Sequence, residues 1–484
     1  MDFKKSKSFL IKLALIYCAF VLMIYAVAQE QFRRTPVTSD ALTPSGIIGE
    51  ITDGVTVRQR LEIPVDQLDS LSIMPFTYGQ AASGNVLFAL ETEDGTEIAQ
   101  STVDASTFKE ASYTAITFDE PISGYRGETL TLVVTTQGCA PGQAIGLYTG
   151  NSIAAGRFDI AQSFDERYYY TVNGEAGMGR LCVKLAGVNV LTFYKIYWFI
   201  VAGVLAILVA LCLLWWKGAK KGRNNPLVAV CLLYTRYGFL VRQLVSRDFK
   251  TKYKRSVLGM LWSFLNPLLT MAVQYLVFSF LFANSIENFT VYLMSGIVFF
   301  SFFSEAVSMG MTSITGNAAL IKKVYMPKYI YPISRIFSSL VNFSLTLVPL
   351  FLVVIVTGVP LRPSLLLLLF DILCLLGFTT GMSLILSTAM TFFQDTQFLW
   401  GVVSMLWMYL TPIIYPVSII SPRLLPFFRM NPLYQYITFA RTCIIDGISP
   451  APISYLWCIL SAAVTLLTGI LVFKRHQNQF ILHL

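Results

Sequence analysis

About eight apolar runs, each close to the length of a membrane-spanning helix, mark out this chain of 484 residues. A helix needs about 20 mostly apolar residues to cross the hydrocarbon core of a bilayer. The runs are residues 9–28, 196–216, 261–282, 291–311, 336–356, 365–389, 398–415 and 455–473. The pattern therefore predicts an α-helical polytopic membrane protein with two N-terminal spans and a six-span core.

The first run follows Lys4, Lys5 and Lys7, an arrangement that signal peptides and uncleaved anchors share. Its apolar stretch is long, and no clear small-x-small cleavage site follows it. We therefore interpret residues 1–29 as a membrane anchor that is retained.

Between the first two runs lies a polar stretch, residues 30–190, with a different period. Apolar and polar residues alternate in residues 86–91 and 129–134, as they do in half-buried strands. Hairpin-type turns are indicated at residues 93–96 and 172–174. Short strands separated by Gly and Asp turns are typical of a β-sandwich. We therefore predict an inserted all-β sandwich domain.

Composition supports a membrane protein, because charged residues make up only 13% of the chain against about 25% in soluble domains. The net charge of +9 hides an asymmetry. Residues 30–190 hold 20 Asp and Glu against 10 Lys and Arg, whereas the rest of the chain holds 7 against 26. The basic residues flank the apolar runs and form no single patch, so we do not expect a nucleic-acid partner.

Lys and Arg cluster in alternate loops, and the positive-inside rule puts such loops in the cytoplasm. The clusters are residues 4–7, 217–223, 242–255, 322–328 and 474–475. The loops between them carry fewer and mixed charges. We therefore expect both termini to be cytoplasmic and residues 30–190 to be extracytoplasmic.

Cysteine and histidine give no sign of a metal site. Cys139 and Cys182 lie in the acidic stretch, and they either pair as a disulfide or stay free. The two histidines, His476 and His483, are not in metal-ligand spacing with cysteine. The chain also lacks the Gly-x-x-x-x-Gly-Lys-Ser/Thr pattern of a P-loop, so we expect no catalytic residues and no ATP site of its own.

An amphipathic helix is predicted just before the third run. Such a helix lies in the membrane interface with its cations toward lipid headgroups, or it packs as a solvated helix on cytoplasmic protein. Its apolar face holds Tyr237, Leu240, Val241, Leu244, Val245 and Phe249, and its polar face holds Arg236, Gln243, Arg247, Lys250 and Lys254.

Residues 247–262 read Arg-Asp-Phe-Lys-Thr-Lys-Tyr-Lys-Arg-Ser-Val-Leu-Gly-Met-Leu-Trp, and Asn266 and Pro267 follow. This segment resembles the opening of polysaccharide and teichoic-acid exporter permeases, within the type-2 ATP-binding-cassette transporters. Those proteins have an interfacial helix, an Arg-Asp-x-Lys-x-x-Tyr-Lys-x-Ser-x-Leu-Gly segment, and then Trp and Pro entering the first core span. The resemblance covers residues 234–473, half of the chain. It implies an interfacial helix and gate formed by Arg247, Asp248, Lys250, Tyr253, Lys254, Ser256, Gly259, Trp262 and Pro267.

Residues 317–328 resemble the first cytoplasmic loop of that family, which holds its coupling helix. A short helix ended by Pro327, with Leu320 and Ile321 exposed, could enter a groove on a cytosolic partner. The alternative is an ordinary positive-inside loop. The resemblance implies coupling to an ATPase through Asn317, Leu320, Ile321, Lys322, Lys323, Met326 and Pro327.

Ionisable residues inside the spans should face protein or water, and for Asp371 both gating and structural pairing are open. Aromatic rings stack on the apolar faces of sugars, so an aromatic conduit suits a glycan, although lipid-facing or core packing is the alternative for any one ring. The predicted transport path contains Tyr275, Phe278, Phe299, Phe303, Glu305, Asp371 and Trp407.

The resemblance implies a homodimer bound to two copies of a separate cytosolic ATPase, which would carry ATP and Mg. The cargo would be a lipid-linked polysaccharide, O-antigen or teichoic acid, crossing the bacterial cytoplasmic membrane. Alternatives are an exporter of small amphiphiles or drugs, and a membrane-tethered receptor or assembly protein that works through its β-domain. A membrane glycosyltransferase is disfavoured because the acidic donor-binding motif is absent.

The predicted organisation has four parts. Residues 1–29 form the anchor, 30–190 the β-sandwich, 191–225 the second span with a basic cytoplasmic linker, and 226–484 the permease core. Because the recognised segments all lie in the last part, we expect the β-domain to be an accessory to transport.

Overall fold

The computed structural model describes residues 3–39, 42–79, 82–150, 152–153, 168–191, 193–220, 237–253, 257–282, 288–323, 326–421 and 423–484. The chain divides into two compact units. One comprises Met1–Gln31, Phe193–Val417 and Arg423–Leu484, and the other comprises Phe32–Thr192 with Ser418–Pro422. The first is helical and the second is the β-domain.

The β-domain is built from antiparallel strands. They are β1 (Arg34–Thr38), β2 (Leu42–Thr43), β3 (Gly46–Ile47), β4 (Val57–Glu62), β5 (Gln67–Ile73), β6 (Pro75–Phe76), β7 (Asn85–Glu91), β8 (Glu97–Asp104), β9 (Thr114–Ser123), β10 (Thr129–Gln137), β11 (Gly146–Gly150), β12 (Ser152–Ile153), β13 (Thr171–Val172), β14 (Glu175–Ala176), β15 (Arg180–Leu181) and β16 (Val183–Val190).

Two of the sheets share one hydrophobic core. One sheet has the order β1-β16-β5-β9 and the other β14-β13-β4-β10-β7-β8, while a smaller sheet has the order β15-β11-β3. Leu71, Ile116 and Leu185 from the first sheet pack in the same core as Phe88 and Leu132 from the second. Alternate residues point inward along β4 and β7, as the sequence pattern requires. The predicted β-sandwich is therefore confirmed.

The predicted turns are also confirmed. Asn173 (φ 50°) and Gly174 (φ 89°) join β13 to β14, and two successive positive φ angles are typical of a type I′ hairpin turn. Thr92 and Thr96 close the β7–β8 turn through a 2.9 Å backbone hydrogen bond. Gly95 takes the positive φ in that turn, which costs glycine little.

Of the two outcomes open for Cys139 and Cys182, the structure has the free thiols. Cys139 and Cys182 are both buried, and each thiol is free. Burial raises the pKa of Cys182 to about 12, which keeps the thiol protonated and unreactive at neutral pH.

The helical unit contains α1 (Phe3–Ala28), α2 (Phe193–Lys220), α3 (Gly238–Tyr253), α4 (Trp262–Phe282), α5 (Phe289–Met311), α6 (Ala318–Lys323), α7 (Ile330–Val356), α8 (Leu368–Phe392), α9 (Thr396–Leu410), α10 (Leu425–Met430), α11 (Pro432–Arg441), α12 (Pro452–His476) and α13 (Phe480–His483). A single-turn helix, Pro363–Leu367, leads into α8, and a π-helical turn, Thr442–Asp446, follows α11.

Helices of membrane-spanning length and apolarity are present in the described residues. They are Gly259–Leu281, Phe289–Met311, Ile330–Val356, Pro363–Phe392 and Pro452–His476, with shorter apolar helices at Ala14–Ala28 and Phe193–Ala206. A polytopic membrane protein with an inserted β-domain is therefore confirmed.

The predicted span at residues 398–415 is wrong in its last five residues, 411–415. Helix α9 has 15 residues and ends at Leu410, so it rises only about 22 Å, less than the roughly 30 Å hydrocarbon core. Pro412 and Pro416 disfavour helical geometry in the residues before them. The chain continues instead in the short helices α10 and α11.

The first two helices pack against each other in antiparallel fashion. The Tyr17 hydroxyl donates to the Val201 carbonyl at 3.1 Å, and the Tyr197 hydroxyl donates to the Val21 carbonyl at 2.8 Å. Helix α1 also contacts the core, because Phe20 stacks on Phe370 of α8 at 6.2 Å between ring centroids. Both helices therefore belong to the membrane unit.

This packing predicts which N-terminal deletion the chain tolerates. Replacing residues 32–192 by a short Gly-Ser linker should leave the amount of chain in the membrane unchanged. The ends of the β-domain are adjacent, since Leu191 N–H donates to the Arg33 carbonyl at 2.8 Å. Removing residues 2–220 should lower that amount several-fold, because Phe370 loses its partner on α1. Quantitative blotting of membranes and size-exclusion chromatography in detergent provide the measurement, and equal losses in the two deletions would contradict the prediction.

Candidate functional site

Helix α3 is amphipathic, as the sequence pattern predicts. Leu244 and Asp248 are buried, with 6% and 8% of their surface exposed. Arg242, Gln243 and Arg247 are exposed on the other side. The buried side packs against α7, so the helix is held to the bundle through one face.

An ion-pair group fixes α3 to α7. The Asp248 carboxylate lies 3.1 Å from a guanidinium nitrogen of Arg247 and 3.2 Å from one of Arg335 on α7. Only 5% of the Asp248 side chain is exposed. A buried carboxylate that is ionised must be paired, and Arg335 provides that pairing for Asp248.

A network of polar side chains connects α3, α5, α7 and α4. Lys252 on α3 donates to one oxygen of Glu305 on α5 at 2.7 Å. Asn342 on α7 donates to the other oxygen at 2.9 Å, and Ser263 on α4 donates to the Asn342 side-chain oxygen at 3.0 Å. Glu305 lies at the junction of these helices, and its place on a transport path stays a prediction.

The remaining residues of the predicted interfacial segment lie around the start of α4. Gly259 has a φ of +50°, a left-handed conformation that favours glycine. Trp262 begins α4 and is exposed, and Pro267 lies inside that helix. Tyr253 ends α3. Lys254 and Ser256 lie outside the described residues.

The predicted coupling segment forms a short helix, α6, after a turn that ends at Asn317. The Asn317 side chain donates to the Ser313 carbonyl at 2.8 Å, which satisfies an otherwise free backbone acceptor. The expected exposure of Ile321 is wrong, since only 7% of it is exposed. Leu320 is half-buried. The face that is open instead consists of Gly316, Ala319, Lys322 and Lys323.

Ile321 is covered by what we call the coupling-segment cluster. Leu320 and Met326 pack against its edge, and Pro327 is half-buried. The cluster draws α6 together with the nearby ends of α7, α8, α12 and α13. Its buried members are Ile314, Ile321, Tyr331, Leu384, Phe473 and Phe480.

The aromatic residues assigned to a transport path fall into two groups. Phe299 and Phe303 are 1% and 0% exposed, and Phe303 stacks on Phe378 at 5.6 Å, so both belong to the packing alternative. Tyr275 on α4 is 37% exposed, and Phe278 is half-buried.

Trp407 borders a groove between α9 and the helices α10 and α11. Its indole N–H donates to the Asn431 side-chain oxygen at 2.8 Å, and Asn431 in turn caps α11 by accepting from Leu433 N–H at 3.1 Å. The groove has a volume of about 380 Å³ and is mostly apolar. It is lined by Val403, Leu406, Trp407, Leu410, Phe427, Phe428, Met430, Asn431 and Pro432.

Comparisons with known proteins agree on one family. The ABC-2 type transporter family matches residues 240–445, which run from α3 to the π-helical turn. An O-antigen export system permease protein RfbA of Klebsiella pneumoniae is 30% identical over 250 residues, 50% of this chain and 95% of that protein. A protein of the same name from Myxococcus xanthus is 31% identical over 255 residues, 51% of this chain and 96% of that protein.

This chain belongs to the ABC-2 type transporter family. Permeases of this family are membrane subunits without enzymatic activity, and the ATPase is a separate subunit. The β-domain lies outside the family match, as the sequence resemblance indicated.

The permease has one buried acid that the resemblance does not explain. Asp371 is fully buried, and neither of its carboxylate oxygens has a hydrogen-bond partner among the described residues. Asp371 therefore has no partner for structural pairing, one of its two predicted roles, in the described part of the permease.

Sequence reasoning missed most of the polar partners. It singled out Asp248 and Glu305 but not Lys252, Arg335 or Asn342. A signal was present for Asn342, because an amide inside an apolar run needs a partner. No local signal identified which residues the two acids contact.

The Glu305 contacts predict a measurable coupling energy. Lys252→Met and Glu305→Gln should each lower the stability of the permease, and the double variant should lose less than the sum. The interaction term should be about 1 kcal/mol, since Lys252 is partly exposed. Thermal unfolding of the purified permease in one detergent measures it. Arg242→Met, an exposed cation on the same helix, is the control and should have little effect; additive losses would contradict the ion pair.

Proposed function

We propose that this permease exports a lipid-linked polysaccharide across the bacterial cytoplasmic membrane, using ATP hydrolysis on a separate cytosolic subunit. The observation that carries the proposal is the similarity to O-antigen export permeases over 95% of their length. Teichoic acid, a polyanion, is the second cargo class. Its charge is less compatible with the β-domain, whose stretch has twice as many acids as bases.

We propose further that two copies form a homodimer with the transport path between them. Two apolar stripes support this arrangement. On α4, Leu269, Val273, Leu276 and Phe280 are exposed, and on α9, Phe398, Val402, Met405 and Tyr409 are exposed. Within each helix the spacing is i, i+4, i+7 and i+11, which puts the residues on one face. Such faces suit packing around a twofold axis.

The partner ATPase would bind the open face of α6. That face carries Lys322 and Lys323 beside the small residues Gly316 and Ala319, so it fits closely against a shallow acidic surface. Ile321, packed in the coupling-segment cluster, would convey movement of α6 to the ends of the spans.

The β-domain has an aromatic surface suited to a neutral glycan or to a protein partner. Phe76, Tyr78 and Tyr148 are half-buried, with ring centroids 4.6 Å apart for Phe76 and Tyr78 and 5.3 Å for Phe76 and Tyr148. Tyr78 has a φ of 54°, an unusual conformation for a bulky residue. Glu110 holds it by accepting from the flanking Thr77 hydroxyl at 2.8 Å. We propose that this surface contacts the polymer as it emerges.

Charge reversal on α6 tests export and coupling together. Lys322→Glu with Lys323→Glu should abolish co-purification of the ATPase and should leave surface polysaccharide reduced at least tenfold, because the proposed contact depends on these cations. Arg423→Glu, an exposed cation outside the coupling segment, is the matched control and should export normally. Immunoblotting of surface polymer and of the purified complex provides the measurement. Wild-type export by the double reversal, or ATP hydrolysis by the permease alone, would overturn the assignment.

Accessibility to a reagent that does not cross membranes tests the proposed orientation. A cysteine at Asp94, an exposed residue in the β7–β8 turn, should react with an external maleimide in intact cells. A cysteine at Lys323 should react only after the membrane is permeabilised. Mass-shift gels measure both, and the parent chain provides the background from native thiols. External labelling at Lys323 would invert the topology.

A further inference from the structure

Helix α13 packs on the membrane unit through its buried residue, Phe480, with His483 and Leu484 beside it. Phe480 has no exposed surface and lies in the coupling-segment cluster with Ile321. Its ring meets those of Phe473 at 5.2 Å and Phe392 at 6.1 Å in edge-to-face geometry. Just before the helix, the Lys328 ammonium donates to the Gln477 carbonyl. The helix therefore has a defined position.

The opposite side of α13 is apolar and open. Ile481 and Leu482 are 51% and 82% exposed, although they follow a fully buried residue. A helix of four residues rises about 6 Å and cannot span a bilayer. Large apolar side chains held outward by a rigid anchor are suited to a binding surface.

The coupling segment and α13 share the coupling-segment cluster. Leu320 and Met326 pack on it from the α6 side, and Leu484 packs on it from the α13 side. Both segments therefore pack on the same small cluster, from which their exposed residues face away. Exposed cations lie on α6 and just before α13: Lys322, Lys323, Lys474 and Arg475.

We propose that Ile481 and Leu482 form a second contact with the ATPase subunit, beside the coupling segment. The inference rests on the proposed function, since it takes the ATPase as the occupant of the α6 face. The matching surface on the ATPase would be an apolar hollow bordered by Asp and Glu side chains, which complement the surrounding cations. Helix α13 then acts with α6 as a two-point attachment, so that movement of the ATPase turns the cluster as a unit.

Site-specific photocrosslinking in the full-length permease, co-expressed with its ATPase, tests this contact. A photoreactive amino acid replaces Lys323, Leu482 or, as a control, Leu456, an exposed apolar residue near the far end of α12. Adducts are identified by mass spectrometry. The expected result is one and the same P-loop ATPase attached at positions 323 and 482, and no ATPase at position 456.

A substitution series provides the second measurement. Leu482→Asp should weaken ATPase binding on the order of tenfold, the effect of about 1.4 kcal/mol, whereas Leu482→Met should keep it. Gln479→Asp is the charge control, because Gln479 is exposed and lies outside the apolar pair. Equal amounts of Leu482→Asp and wild-type permease in the membrane establish that the variant folds.

The outcomes separate the two proposals. An ATPase adduct at position 323 with phospholipid adducts at position 482, or unchanged binding by Leu482→Asp, overturns the α13 contact and leaves the proposed function standing. Absence of the ATPase from both positions overturns the proposed function and the α13 contact together.

Discussion

A buried carboxylate that stays ionised must have a counter-charge, and that requirement sets how α3 is held. The hydrocarbon core provides no water to solvate an ionised group. Asp248 and Glu305 therefore bind Arg335, Lys252 and Asn342 at distances of 2.7 to 3.2 Å. Apolar contacts on the buried face of α3 permit sliding, whereas the hydrogen bonds to Glu305 are directional. They fix the register of α3 on the bundle.

One partner of each acid lies on α7, together with a residue of the coupling-segment cluster. Tyr331 packs in the cluster, Arg335 binds Asp248, and Asn342 binds Glu305 and Ser263. At 100° per residue, positions 331, 335 and 342 fall within about 40° of one another around the helix. A rotation or shift of α7 driven from the cluster must therefore move α3 and α4 as well, or break these bonds. This gives a physical route from the proposed ATPase contact to the interfacial helix.

Periodicity in the sequence predicts the elements of the permease but not their contacts. The strand pattern in residues 86–91 gives a buried Val86, Phe88 and Leu90, because alternation is a local property. Burial of Ile321 depends on Phe480, 159 positions later in the chain, and nothing near Ile321 signals it. The Lys252–Glu305 pair joins residues 53 positions apart. The end of α9 at Leu410 was predictable from the sequence, because two prolines follow it. The mostly apolar residues 411–415 instead extended the apolar run and led to the longer predicted span.

The β-domain has its own core and enters the chain between two helices of the membrane unit. Antiparallel pairing of β1 with β16 brings its two ends together, from Arg34 opposite Val190 onward, so the chain can leave α1 and enter α2 without separating them. Helix α1 reaches the core through Phe20 and Phe370, and Phe370 packs on Tyr455 at 5.0 Å. The attachment thus lies on α8 and α12, and the exposed stripes of α4 and α9 remain open. Helices α1 and α2 thus leave the faces proposed for dimerisation and for the path unchanged, which is the physical condition for adding them to a transporter that already works.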